Sequence, residues 1–457
     1  MADMVRRRGA FFCRLVLLLA LSFTLSVRPV LAQAILRDAE TETFLNEMAK
    51  PIIQAAGLTP ANVQIVLIQD KEINAFVAGG QTVFIHSGLI QAADNYNEVQ
   101  GVVAHELAHV VHGDVIRMDE GVKQATGIMI LTMVLGAIAM AAGGGDAGAG
   151  IMAAGQQAAM GKFLAFTRVQ EAFADQAGTE FLNKAGITGK GMLSFFGKLQ
   201  NQEMRLAIPQ DDPYSQTHPL TGDRIAALQD LLKSSPAWNK PIDPKLQERF
   251  LLVKAKLFGY VNDPKITLVK YPERDNSLAA HYARAYAWHK AAYPDKADAE
   301  AEALVKARPD YPYFYELQGQ ILLESGRPAE ALSSLRKAVA LAPNQPLIAA
   351  ILGHALISTE DNSNYQEAKR VLRAAVARDN ENPFAWYQLG IVYEHEGDEP
   401  RAALATAERY NLEGNPKMAM ASAQMALAGL PSGSPDWVRA QDIAMAARGQ
   451  VTKDKKK

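Results

Sequence analysis

The chain has 457 residues, which is too long for one ordinary domain and predicts at least two. Its composition, 49% hydrophobic and 21% charged, is that of a globular protein and excludes a largely disordered chain. The formal net charge of −2, with basic residues concentrated only at the end of the chain (453–457), argues against a nucleic-acid binder.

Residues 1–32 have the pattern of an export signal. Four arginines accompany an apolar run over residues 15–27, and Val30-Leu31-Ala32 offers the compact side chains that a signal peptidase requires. The run is shorter than the roughly 20 residues that cross a bilayer, so we predict cleavage after Ala32, with an uncleaved anchor as the alternative. Cys13, the single cysteine, lies in this segment, and the mature chain would have neither disulfides nor a thiol ligand.

The next 150 residues alternate between helical and extended patterns. Helices are predicted over 39–57, 97–113 and 169–184, and strands over 63–69, 73–77 and 82–85. Gly79-Gly80 marks the turn between the second and third strands. The strand around Gln81 to His86 is expected to expose an edge on which an extended peptide could pair.

An uncharged stretch over 126–142, followed by Ala- and Gly-rich sequence up to residue 160, separates the last two of these helices. Three structures fit it: a hairpin buried in the fold, a flap that contacts a membrane near the active site, or a membrane span. Its length is at the bottom of the spanning range and its glycines weaken a helix. We therefore do not predict a span, and a peripheral membrane contact through 126–160 stays open.

Beyond Pro236 the sequence becomes Ala- and Leu-rich and repeats with a period near 34, which is typical of tetratricopeptide (TPR) repeats. Small residues at fixed offsets let paired helices approach closely, and each repeat buries its apolar face only against its neighbours. A degenerate copy is expected before the clear ones, and 416–448 is expected to supply a further copy and a cap. The repeat positions are Tyr315, Gly319, Leu322, Ala331, Leu335, Ala338 and Pro343; Leu352, Gly353, Leu356, Ala368, Leu372 and Ala375; and Trp386, Leu389, Gly390, Tyr393 and Ala402.

The sequence His105-Glu106-Leu107-Ala108-His109 lies inside the second predicted helix. Residues four apart share a helix face, so the two imidazoles can bind one zinc ion at about 2.0–2.1 Å each. Glu106 then points at the water that the metal activates and can accept its proton. The apolar remainder of the helix raises this short motif above chance.

A catalytic zinc ion also needs a third protein ligand. Glu171 is the best candidate, and Asp175, one helical turn later, can accept a hydrogen bond from the other nitrogen of a zinc histidine. His112 is interpreted as a helix-end or supporting histidine rather than a ligand.

These segments, with His218-Pro219-Leu220-Thr221-Gly222-Asp223-Arg224, resemble the zinc peptidase family that contains HtpX and the CAAX prenyl proteases. The export signal and the repeats are most similar to its periplasmic, TPR-containing branch. The resemblance implies that His105, His109 and Glu171 bind zinc and that Glu106 is the general base. It also implies that His218 and Arg224 lie at the catalytic centre. Asn74 and Phe76 match the family pattern and are expected to bind substrate. Thr167 stands where the family usually has serine.

The sequence thus predicts an α+β zinc metallopeptidase domain, gluzincin-like and mostly helical with a small sheet, followed by an all-α TPR solenoid. The expected divisions are 1–32 signal, 33–235 peptidase, 236–275 helical linker and 276–450 repeats. The expected function is cleavage of unfolded or misassembled envelope proteins in the periplasm, with one zinc ion per chain. The repeats would dock clients or a partner such as outer-membrane assembly machinery.

Two other interpretations remain. One is a TPR chaperone or adaptor with a latent zinc site. The other, a membrane-embedded prenyl-type protease, is disfavoured by the single marginal apolar segment. His218 itself has two possible roles: it could fill the fourth zinc position and keep the enzyme latent, or it could stabilise the oxyanion of the tetrahedral intermediate.

Overall fold

The computed structural model describes residues 35–141, 145–206, 218 and 220–454. The predicted export signal lies outside these residues. A small mixed sheet with the strand order β1-β2-β4-β3 forms one side of the first unit. Its strands are β1 (Ile35–Leu36), β2 (Gln64–Ile68), β3 (Ala75–Ala78) and β4 (Thr82–His86). Strand β4 runs parallel to β2 and antiparallel to β3.

The helices of the first unit surround a helix that is buried along most of its length. They are α1 (Ala39–Ala55), α2 (Ser87–Ala92), α3 (Tyr96–His112), α4 (Asp114–Ala141), α5 (Gly145–Lys184), α6 (Lys190–Leu206), α7 (Gly222–Lys233), α8 (Pro244–Val261) and α9 (Pro264–Lys270). In the buried helix, α3, every residue from Tyr96 to His109 is buried. Gly101 allows its close contact with α6, because a Cβ there would lie 2.4 Å from the Met192 Cα. The helix that carries the HExxH sequence is therefore closely packed on its neighbours.

Helices α4 and α5 form a long antiparallel hairpin that projects from this unit. Glycines bring the two helices together: a Cβ at Gly148 would lie 2.5 Å from the Gly136 carbonyl oxygen, and one at Gly155 would overlap Thr132. Only 6% of the most apolar window of α4, within Glu120–Met140, is buried. The alternative of a hairpin buried within the fold is therefore wrong for the described residues.

The second unit is a stack of helix pairs, as the repeat pattern predicts. The helices are α10 (Leu278–Lys290), α11 (Pro294–Ala307), α12 (Pro312–Glu324), α13 (Pro328–Leu341), α14 (Pro346–Ser358), α15 (Tyr365–Arg378), α16 (Pro383–His395), α17 (Glu399–Leu412), α18 (Pro416–Gly429) and α19 (Pro435–Asp454). Gly319 and Gly353 face Leu335 and Leu372 of their partner helices, where a Cβ would lie 2.4 Å from each leucine Cγ. The degenerate first pair and the last pair are both present, and the predicted α+β unit followed by an all-α array is confirmed.

The two units meet at the start of α1. Ala39 is fully buried and belongs to the apolar core of the first repeats. The Glu40 carboxylate, also fully buried, accepts hydrogen bonds of 2.5 Å from the hydroxyls of Tyr282 and Tyr311. Lys256 of α8 donates to the same carboxylate and pairs with Asp38 at 2.5 Å. The repeats therefore hold the first helix of the first unit through a buried charge network.

Candidate metal centre

The HExxH motif lies in the last two turns of α3. The helix begins where the Asn95 side chain accepts a hydrogen bond from the Glu98 backbone N–H, and it ends at Gly113, which has a left-handed backbone (φ 68°). Glycine adopts this conformation without a steric penalty, which lets the chain turn sharply into α4. His105, Glu106 and His109 are 0%, 1% and 7% exposed.

Three further elements bring polar side chains to this point. Helix α5 contributes Glu171 and Asp175, both buried. Thr221 caps the start of α7 by accepting from the Arg224 backbone N–H, which aims the Arg224 side chain at α5. His218 precedes that cap and is 7% exposed. The structure thus brings together all the residues that were expected to bind zinc or to lie at the catalytic centre.

Four of these side chains surround one point. His105 Nε2 lies 3.2 Å from His109 Nε2, 3.4 Å from His218 Nδ1 and 3.3 Å from Glu171 Oε2. Glu171 Oε1 lies 2.9 Å from His218 Nδ1 and 3.5 Å from His109 Nε2. Ligands at about 2.0–2.1 Å from a tetrahedral zinc ion are separated by about 3.3–3.4 Å. The cluster therefore fits a four-coordinate metal ion with three nitrogen donors and one oxygen donor.

A second layer of carboxylates contacts the outer nitrogens of the two motif histidines. Asp175 Oδ1 lies 3.1 Å from His105 Nδ1, and Asp114 Oδ2 lies 2.8 Å from His109 Nδ1. Such contacts fix the tautomer and orientation of a metal-binding imidazole. The sequence predicts the role of Asp175 but not that of Asp114. The signal for Asp114 was its place directly after Gly113, five residues past His109.

Arg224 joins the two acidic residues of α5. Its guanidinium donates two hydrogen bonds to Asp175, of 2.8 and 2.9 Å, and lies 3.0 Å from Glu171 Oε2. The bidentate pair fixes the Asp175 carboxylate, and the remaining guanidinium nitrogen, Nη1, pairs with Glu171. Arg224 thus lies at the metal centre, as expected. Its contacts there are with the two carboxylates that face the histidines.

The charges of the cluster favour a bound cation. Burial opposes a charge on His105, but its contacts with Asp175 and Glu171 outweigh burial and raise its pKa to about 10. Burial favours the neutral form of Glu171, yet His218 and His105 hold its pKa well below the usual range. Similarly, burial is outweighed for Asp175 by His105 and Arg224, which lower its pKa. The carboxylates therefore stay ionised and demand a positive partner, which a metal ion supplies when it displaces protons.

Glu106 is the buried acid that no described residue satisfies. Neither carboxylate oxygen accepts a hydrogen bond from the described part of the chain, and the residue is 1% exposed. Its Oε1 lies 3.7 Å from His218 Nε2. A buried carboxylate without a donor is costly, and at this position a water molecule beside the metal would supply the donor.

The sheet presents a different edge from the one predicted. Strand β4 is an interior strand, paired on both sides, so the expectation of an exposed edge at Gln81 to His86 is wrong. The edge strands of the sheet are β1 and β3. Strand β3 contacts α3 and has no partner on its other side among the described residues. Phe76 of β3 stacks on Phe84 at 5.0 Å, and Asn74 directly precedes the strand.

His112 lies outside the cluster. It is the last residue of α3, and its ring contacts the Phe173 ring edge-on at 5.4 Å between centroids. The interpretation of His112 as a helix-end histidine therefore agrees with its place in the structure.

This helix-borne HExxH, with an acidic partner on a second helix, is the arrangement of a metallopeptidase. The model of Peptidase family M48 matches residues 37–232, and the tetratricopeptide repeat model matches 290–346 and 358–417. The chain is accordingly a metalloprotease with an M48 peptidase domain followed by TPR repeats.

Several named proteins are similar to this chain. The Beta-barrel assembly-enhancing protease of Escherichia coli (strain K12) is 25% identical over 387 residues, which cover 83% of this chain and 77% of that protein. Protease HtpX of Xanthomonas oryzae pv. oryzae is 31% identical over 162 residues, covering 32% of this chain and 54% of that protein. Among solved structures, YrrB, described as a TPR protein with an unusual peptide-binding site, aligns with 38% of this chain and 91% of its own at 20% identity and a TM-score of 0.32.

Proposed function

We propose that the chain is a zinc-dependent endopeptidase of the cell envelope that cleaves unfolded or misassembled proteins. The observation that carries the proposal is the set of four buried donor atoms at tetrahedral spacing, with the unsatisfied carboxylate of Glu106 beside them. Three nitrogens and one carboxylate oxygen form a donor set that zinc favours.

Each residue has a distinct part in this proposal. His105, His109 and Glu171 hold the metal, while Asp175 and Asp114 orient the two histidines and Arg224 fixes Glu171 and Asp175. A zinc ion held there would polarise the peptide carbonyl and would lower the pKa of a bound water to about 7. Glu106 accepts the proton of the attacking water and delivers it to the leaving amine.

Substrate recognition is assigned to the open edge of β3. An extended peptide can add to this edge through main-chain hydrogen bonds, with Asn74 and Phe76 beside it. Only a segment that is free of other secondary structure can pair in this way. The edge therefore favours unfolded or flexible substrates over folded ones.

His218 is proposed to hold the enzyme latent. Its Nδ1 is one of the four clustered donors, and its Nε2 lies 3.7 Å from Glu106. It thus occupies the space that water and the scissile carbonyl need. The same geometry supports the second candidate, a TPR chaperone or adaptor whose zinc site is rarely active.

Location and partners complete the proposal. The export pattern of residues 1–32 and the similarity to the Beta-barrel assembly-enhancing protease support a periplasmic protein that acts on misassembled outer-membrane proteins. The TPR repeats would bind clients or a protein of the assembly machinery.

Hydrolysis of an unfolded protein tests the proposal. Casein should be cleaved by the purified chain, while a folded protein of similar size should not. Glu106→Gln should abolish cleavage and retain zinc, and the matched variant Glu180→Gln, on the exposed face of α5, should cleave as the parent does. Equal cleavage by the Glu106 and Glu180 variants would refute the assignment.

A further inference from the structure

In the hairpin formed by α4 and α5, the part of α4 beyond Thr132 is apolar on every exposed side among the described residues. Beyond Thr132, the exposed large side chains of α4 include Met133 (57%), Val134 (52%), Leu135 (47%) and Ile138 (61%). At 100° per residue, these positions and Met140 span about 220° of the helix circumference. The remaining arc carries Thr132 and Gly136, which contact α5.

This distribution of apolar side chains fits insertion into an apolar solvent such as lipid better than contact with a protein partner. A protein partner covers one face, whereas apolar side chains around the whole free circumference of a hairpin need an apolar environment on all sides. The glycine contacts between the arms are also of the kind that pack helices in lipid, where close backbone approach replaces the hydrophobic effect.

Polar residues of the second arm, α5, limit the length of the hairpin that can enter an apolar environment. Thr132 of α4 lies opposite Gly155 of α5, and the next two residues of α5, Gln156 and Gln157, are exposed. The section beyond this level, Thr132 to Ala141, is about 15 Å long at 1.5 Å per residue. This length is half of the roughly 30 Å hydrocarbon core of a bilayer.

Exposed lysines follow on the side towards the peptidase core. Lys123 of α4 and Lys162 of α5 both lie beyond the glutamines. Lysines at this level can interact with anionic lipid headgroups, which adds to the binding.

We propose that the hairpin inserts into one leaflet of a lipid bilayer, with Gln156 and Gln157 at headgroup level, and anchors the protein monotopically. Because both arms lie on one side, the hairpin enters and leaves through the same surface and does not span. Glu171 follows Gln156 by 15 residues along α5, about 22 Å of helix. The metal centre is therefore held above the bilayer, within reach of polypeptide segments that emerge from it.

One residue opposes insertion. Asp146 is the single ionisable residue between Gln124 and Gly161 and lies at the far end of the hairpin. A carboxyl group within a segment that enters lipid is unfavourable. Replacing it with asparagine should therefore strengthen membrane binding, whereas a hairpin that stays in water would be indifferent to the change.

Flotation with vesicles of phosphatidylethanolamine and phosphatidylglycerol tests the proposal on the full chain. The triple variant Val134→Asp/Leu135→Asp/Ile138→Asp should lose vesicle binding by about tenfold or more, since even one factor of ten corresponds to 1.4 kcal/mol and charges in lipid cost more. The matched variant Ile266→Asp/Val269→Asp/Met425→Asp, with exposed apolar positions elsewhere, should bind as the parent does. Asp146→Asn should bind more tightly.

Single cysteines report the depth, after Cys13 is changed to serine. An environment-sensitive fluorophore should shift strongly to the blue at Ile138→Cys on vesicle addition, less at Ile130→Cys, and not at Val122→Cys. Equal responses at Ile138 and Val122, or unchanged flotation of the triple aspartate variant, would overturn the proposal. So would a dimer without vesicles that the triple variant dissociates, because a second copy would then cover the hairpin. Glu106→Gln should float as the parent does, so a failure of the peptidase assignment remains separate.

Discussion

The carboxylate of Asp114 lies 2.8 Å from Nδ1 of His109, the outer nitrogen of the second motif histidine. Asp114 is the first residue of α4, so the contact connects the helix that carries the motif to the hairpin that projects from the unit. The contact thus joins the first arm of the hairpin to the metal centre, to which the second arm, α5, contributes Glu171 and Asp175.

Loss of the Asp114 carboxylate should weaken metal binding. Asp114→Ala should lower zinc affinity by about 10–100-fold, the usual effect of removing a partner of a ligating histidine. Asp114→Asn keeps a hydrogen-bond acceptor and should lose less. Competition with a chromogenic chelator measures the affinity, with Glu120→Ala as the control on the exposed part of α4. Equal affinities for the Asp114 and Glu120 variants would show that the contact is incidental.

Removal of the His218 imidazole should raise activity if it blocks the site. His218→Ala should keep zinc and increase casein hydrolysis on the order of tenfold, the effect of removing a competitor worth about 1.4 kcal/mol. His112→Ala, which removes a histidine outside the cluster at the end of the motif helix α3, is the matched control. A fall in kcat with zinc retained would instead assign His218 to stabilisation of the oxyanion.

Arg224 should act through the carboxylates that it contacts. Arg224→Gln leaves Glu171 and Asp175 without their bidentate cation, so zinc affinity should fall by about tenfold or more. Arg224→Lys should lose less affinity than Arg224→Gln, because lysine keeps the positive charge but lacks the paired donors of the guanidinium group. Arg168→Gln, on an exposed turn of α5, serves as control. If kcat falls while zinc affinity stays unchanged in Arg224→Gln, the arginine contacts substrate instead.

The junction between the two units should become less stable as pH rises. Burial raises the pKa of Glu316 to about 8; Lys256 opposes this rise, and the negative charges of Asp38 and Glu40 add to it. The unfolded chain releases this proton near pH 4.5, so between pH 4.5 and 8 the carboxyl group increasingly favours unfolding.

Glu316→Gln removes that titration. At pH 8.5 the variant should melt at a higher temperature than the parent, and its unfolding free energy should be larger by on the order of 1 kcal/mol or more. At pH 5 the two proteins should have similar melting temperatures. Calorimetry across this range measures the difference. Glu330→Gln, exposed on the same repeat, should show no such trend, and a pH-independent difference for Glu316→Gln would contradict the account.

The sequence predicts correctly those helices and strands that depend on the local spacing of residues. The motif helix was expected over 97–113 and is Tyr96–His112, and the strand expected over 63–69 is Gln64–Ile68. Helix period and strand composition determine such elements within a few neighbouring residues. The last helix expected in the peptidase unit, 169–184, is instead the end of α5, because the Ala- and Gly-rich sequence before it continues the helix.

The features that sequence reasoning missed depend on long-range placement. The edge strand is β3 and not β4 because the sheet order is not the order in the chain, and no local pattern contains that information. The pairing of Glu40 with Lys256 joins residues 216 positions apart. Asp114 contacts His109 only because Gly113 turns the chain back toward the motif.

The central claim, that the cluster is a catalytic zinc centre, is tested most directly by zinc analysis combined with casein hydrolysis. The parent and Glu106→Gln should each contain one zinc ion per chain, whereas His105→Ala and Glu171→Ala should contain little. Casein should be cleaved by the parent alone among these four. Cleavage by Glu106→Gln, or full zinc content after loss of His105 and Glu171, would contradict the claim.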